Sequence, residues 1–196
     1  MGNTGSGFGV WVAAAWMFAL ALPWQAVRAG AAEQSSSTVW VTPVIAGFGK
    51  VHPRPDAAVQ PDPAVDYRIF VRVTDDGKQP GKRMRALDRL ARLVNLMGVA
   101  KVPSSHVHIV ALLDGEASLA AASDATYRRF TKVPKNPNLA IIHALRQAGV
   151  ELLVCAQALA TENLPDSAVV PDVTVSLSAL TDMVVYGQKG YSYVQL

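Results

Sequence analysis

From Tyr67 onward the apolar positions switch between two spacings, and each switch marks an element. Tyr67 to Val73 (YRIFVRV) is β-branched and aromatic and predicts a strand. Lys82 to Leu96 predicts a helix: Met84, Leu87, Leu90, Ala91, Val94 and Met97 form one apolar stripe, and Arg85, Arg89 and Arg92 share another face. Gly98 suits the C-terminal stop of that helix. Val107 to Leu113 (VHIVALL) predicts a second strand ending at Asp114-Gly115. A short helix over Glu116 to Ser123 and a turn at Tyr127 to Phe130 follow. Asn138 is placed to cap a helix over Leu139 to Gln147, which Gly149 closes. Leu152 to Val154 predicts a third strand leading to Cys155, and Val173 to Leu177 a fourth. Ser178 is placed to cap a helix over Ala179 to Tyr186, and Tyr191 to Val194 reads as a last short strand. Strand–helix alternation with short connections predicts a mostly parallel sheet covered on both faces, a three-layer α/β/α domain over residues 67–196.

The pattern before Tyr67 is different. Val10 to Leu22 is a continuous apolar run of 13 residues, followed by Pro23 and then Ala29-Gly30-Ala31. The run is too short to span a bilayer, and the small residues form a signal-peptidase pattern. Residues 1–31 are therefore expected to be a secretory signal, although no Lys or Arg precedes the run; an uncleaved anchor is the alternative. The protein is then periplasmic or secreted, with no membrane span after cleavage. Residues 32–66 contain Pro43, Pro53, Pro55, Pro61 and Pro63, which exclude regular helix and central strand. Val39 to Val44 and Ile45 to Phe48 are apolar enough to pack, so an extended arm is expected against the domain or a neighbouring subunit. Trp40 and Phe48 fit either role.

Charge changes the picture little. Residues 32–196 hold 17 basic and 15 acidic residues, a net charge of +2, which gives no argument for nucleic acid. Lys78, Lys82, Arg83, Arg85, Arg89 and Arg92 read as a solvated face or an anion-friendly rim. Gly77 to Arg83 has a strand–loop–helix context but lacks the glycine spacing and the Ser or Thr of a phosphate-binding loop.

The chain has a single cysteine, Cys155, at a strand-to-helix turn. A helix start there offers unpaired N–H groups and a positive dipole end, which favour thiolate. Cys155 is a reactive thiol, an intermolecular bridge or a small buried core residue, and a sulfur carrier needs it at an open rim. Ligands of open parallel sheets collect at the carboxyl ends of the strands. Asp75-Asp76-Gly77, Asp114-Gly115, Cys155-Ala156 and the helix start at Asn138 should meet there. His106 and His108 are expected on one face of a strand, but with four histidines and one cysteine in the chain they do not define a metal site. His143, mid-helix, is a poor base for the thiol, and Ser104-Ser105 lacks the context of a hydrolase serine.

These stretches resemble the exported branch of the DsrE/DsrF-like family of sulfur-relay proteins. The likeness is carried by Ile45 to Lys50, Pro55 to Pro61, Asp66-Tyr67, Leu90 to Leu96, Asn138 to Val150, Val154-Cys155-Ala156-Gln157 and Gly190-Tyr191. It implies about five parallel strands, assembly into trimers or hexamers, and a persulfide carried on Cys155 between a sulfur donor and an acceptor protein. Asp114 and Asn138 would line the pocket, and no cofactor is needed for thiol attack on sulfur. This chain has Asp114-Gly115 where exported relatives usually have His-Gly, and Cys155-Ala156 where they often have Cys-Gly. The alternative is a non-catalytic oligomeric ligand-binding module in which the cysteine is structural.

Overall fold

Five strands form one all-parallel sheet, in which the fourth, third, second, first and fifth along the chain lie side by side in that order. The structure, a computed structural model, describes residues 38–74 and 79–196. The expected signal segment and the Asp75-Asp76-Gly77 loop end lie outside those residues. The strands are β1 (Tyr67–Val73), β2 (Val107–Leu113), β3 (Glu151–Cys155), β4 (Thr174–Ser176) and β5 (Ser192–Gln195). The helices are α1 (Arg85–Val99), α2 (Asp124–Thr131), α3 (Leu139–Gln147), α4 (Ala156–Thr161) and α5 (Ala179–Gln188). Gly115–Ala121 is a 3-10 segment, where a short helix over Glu116 to Ser123 was expected.

Side-chain alternation splits the sheet into two unequal faces. Ile69, Val71, Val73, Ile109, Ala111, Leu113, Leu152 and Val154 join the main core with α1 and α3. Phe70, Val110, Leu112, Leu153 and Cys155 form a thinner layer with Ala158 of α4 and Ala179 of α5. Topology explains the division. Strands β1 to β4 step in one direction across the sheet, while β5 returns to the far side of β1. A right-handed crossover that reverses direction must pass over the opposite face, so α5 lies across the sheet from α1 and α3.

Two boundaries differ from expectation for identifiable reasons. Helix α1 starts three residues later than Lys82, because Met84 is held extended (φ −63, ψ 127) by a hydrogen bond from its N–H to Asn138 Oδ1 at 2.8 Å. It also runs past Gly98, which lies inside the helix. A Cβ at Gly98 would stand 2.4 Å from Val44 Cγ2, so this glycine serves a close approach of the arm and not a helix stop.

The arm packs on its own domain. Val41 and Val51 pair antiparallel, and Ile45 and Val51 are buried. Buried Asn95 of α1 clasps the loop between them. Its Oδ1 accepts the Val44 and Ile45 N–H groups, each at 2.9 Å, and its Nδ2 donates to Phe48 O and Gly49 O. Phe48 packs on the core under the Arg83 guanidinium, while Trp40 stays exposed beside His52. Among the described residues no helix is long and apolar enough to cross a membrane.

Candidate functional site

Cys155 ends β3 with its side chain on the thin face, 2% exposed among Phe70, Val110, Leu112, Leu153, Ala158 and Ala179. The open rim that a carrier requires is not what surrounds this sulfur. Parity sets the outcome: Leu153 and Cys155 share the face that α5 covers. The helix start facing the thiol also differs from expectation. The Ala179 N–H, at the head of α5, donates to Cys155 Sγ at 3.4 Å. Its neighbour Leu180 N–H is taken by Ser178 Oγ, the cap read from the sequence. Helix α4, which follows the cysteine directly, has only six residues.

Asp114 sits beside Cys155 in register, one step beyond the Leu113–Val154 pair. It does not stand there as a free acid. Arg72, two residues along β1 from Phe70, donates from Nε (2.8 Å) and Nη2 (2.5 Å) to Asp114 Oδ2. The bond and the charge of Asp114 hold Arg72 above the ordinary guanidinium range, against the opposing effect of burial. Arg72, Asp114 and Cys155 thus occupy one face at the carboxyl edge. The arginine was not singled out from sequence, although Arg68, Phe70 and Arg72 stand at every second position and so share a face of YRIFVRV.

The remaining expected pocket residues separate. Gly115 takes a left-handed conformation (φ +58) to open the 3-10 segment, which is the reason for glycine there. Ala156 is half-buried at the start of α4. Asn138 reaches the same edge but on the main-core side, buried, bonded to Met84 N–H and to Asn136. Asn136 in turn donates to Ala120 O and Ala122 O. Asn138 occupies the cap position of α3 without a side-chain bond to that helix; its carbonyl group braces the start of α1 instead. The structure therefore brings Asp114 and Cys155 together and leaves Asn138 across the sheet.

The histidines stand apart from the thiol chemistry. His106 lies in the 3-10 turn before β2, so it does not alternate with His108 on the strand, and its Nδ1 lies 3.0 Å from Pro63 O. His143 is exposed and engages Asp172 Oδ2 at 3.1 Å. Among the described residues no cluster of three or more His, Cys, Asp or Glu side chains is placed to hold a metal.

The far end of the thin layer is aromatic. Phe70 stacks on Tyr186 (centroids 5.0 Å), Tyr191 meets Tyr186 edge-on, and Lys189 lies over the Tyr186 ring. Burial pushes the Tyr186 phenol up to about 12, with Glu151 and Asp182 adding to the rise. Asp182 is itself buried on the inner side of α5, and its Oδ2 has no hydrogen-bond partner among the described residues.

A family model described as the DsrE/DsrF-like family matches residues 67–196. No curated protein matches the chain. Among solved structures, a protein of unknown function from Methanobacterium thermoautotrophicum, MTH1491, is 17% identical, with a TM-score of 0.47. That match covers 67% of this chain and 100% of the other. The family match spans the whole α/β unit, from the first residue of β1 to the residue after β5: the chain belongs to the DsrE/DsrF-like family.

Proposed function

We propose that this chain is a non-catalytic, oligomeric ligand-binding module of its family, in which Cys155 is a packing residue. The DsrE family is generally associated with sulfur relay, and the one observation that moves this chain away from that chemistry is the burial of its sulfur. A thiol that passes sulfur to another protein must be reached by two partners in turn. A side chain 2% exposed beneath Phe70, Leu112 and Ala179 is reached by neither without displacement of α5. The test is intact mass after treatment with a persulfide donor. Wild type is expected to gain no sulfur in its folded state; sulfur on the wild type and none on Cys155→Ser would overturn the reading.

The persulfide carrier remains as a second reading because of one contact, the Ala179 N–H on Cys155 Sγ. A helix-start donor stabilises an anionic sulfur. In that reading the Cys155 thiolate attacks the outer sulfur of a donor persulfide, the donor's S–S bond breaks, and the donor leaves as a thiol. Export to the periplasm or medium rests on the Val10 to Leu22 run and Ala29-Gly30-Ala31. The mass of the chain recovered after expression with its own leader tests it, with Ala32 expected as the first residue.

A further inference from the structure

The carboxyl edge of the sheet offers a second place to look for a ligand, beyond β1 and β5. In open parallel sheets ligands collect outside the carboxyl ends of the strands. β1 leads there to the start of α1, and β5 ends beside it. Outside the ends of these two strands lies a cavity of about 130 Å³ lined by Thr74, Arg85, Ala86, Arg89 and Leu196. Thr74 follows β1, Leu196 follows β5, and they are joined by the Thr74 N–H donating to Leu196 O at 3.0 Å. Gln195 Nε2 donates to Thr74 Oγ1 at 3.3 Å, fixing the floor of the crevice.

Arg85 and Arg89 are one turn apart on α1 and bound the same crevice. Among the described residues neither guanidinium makes an ion pair or a hydrogen bond. Among the described residues, Asp88 accepts from Gly49 N–H and Arg83, and Asp114 accepts from Arg72; Asp75 and Asp76, which follow Thr74 in the chain, lie outside the described residues. Two guanidinium forks separated by one helical turn suit a single multivalent oxyanion, each fork offering parallel N–H donors. The size of the cavity excludes a nucleoside or a drug-sized ligand, whose pockets begin at about 300 Å³.

We propose that the β1/β5 crevice binds a small oxyanion, phosphate or sulfate in free form or as a compact monoester headgroup, through Arg85 and Arg89. This names the ligand class for the binding module and rests on that reading for its role in the protein. Its chemistry is independent of Cys155.

Calorimetric titration of the full chain with inorganic phosphate, and separately with sulfate, at low ionic strength tests it. Saturable one-site binding is expected, weakened at least tenfold in Arg85→Gln/Arg89→Gln. Arg92→Gln, on the same basic stripe but outside the crevice, is expected to stay within about twofold of wild type. Glutamine keeps helix propensity, and unchanged urea unfolding confirms that each variant is folded. A parallel titration with a phosphate monoester separates headgroup from free anion. Absence of saturable binding, binding untouched by the double substitution, or equal loss in Arg92→Gln would each overturn the proposal. Persulfidation of Cys155 in the same sample reports on the module reading separately, so the two can fail independently.

Discussion

Arg72 brings a full charge up against the buried layer of Phe70, Leu112, Leu153 and Cys155, and Asp114 is what makes that placement tolerable. Both side chains are largely shielded, so removing one strands the other. Arg72→Met is expected to lower stability by about 2–3 kcal/mol in urea unfolding. The double variant Arg72→Met/Asp114→Leu is expected to recover most of that loss; no recovery would mean that the pair is not an isolated couple. Tyr186 supplies a pH signature. Its folded value of about 12 lies above the ordinary 10, so the folded state holds its proton longer. Stability from this group is complete below pH 10 and is lost as pH rises from about 10 to about 12, because the unfolded chain ionises first. Phenolate absorbance should show a late-titrating tyrosine in wild type that is missing in Tyr186→Phe.

At the scale of elements, the attachment of the arm depends on small residues that periodicity does not reveal. Asn95 gives the Val44–Gly49 loop two accepted and two donated hydrogen bonds. Asn95→Ala leaves buried main-chain groups unpaired and is expected to cost roughly 2–4 kcal/mol. Gly49 takes φ +59, and a Cβ there would stand 2.2 Å from Arg92 N. Gly49→Ala should therefore release the arm. Faster protease cleavage within residues 38–66 and altered Trp40 fluorescence would report it, and unchanged cleavage would contradict the docking described. The strands and α3 were legible in sequence because they follow the alternating or helical period directly. The start of α1 was not, since a distant carbonyl, Asn138 Oδ1, decides it. For the same reason Asn138 read as a helix cap when it is a brace between loops. Cys155 was placed at the right turn in the chain, but its burial depends on α5 crossing the sheet, which no local pattern encodes.

For the whole molecule, the outer surface of α5 is the feature with most consequence. Leu177, Leu180 and Val184 are 68%, 70% and 65% exposed, and Val185 and Tyr193 are exposed as well. Monomers seldom leave a large apolar patch in water, so this surface is the candidate contact between copies of the chain. Light scattering on the purified protein is expected to show an oligomer, and Leu180→Glu/Val184→Glu to yield monomers with unchanged far-ultraviolet dichroism. Oligomers that survive those substitutions would place the contact elsewhere.

The alkylation rate of Cys155 with a small neutral maleimide, compared between native buffer and denaturing urea, tests the central claim most directly. A packing residue held under α5 should react at least a hundredfold more slowly when folded and regain a model thiol rate only across the unfolding transition. Folded protein that reacts as fast as the unfolded chain would show an open, nucleophilic sulfur and contradict the account.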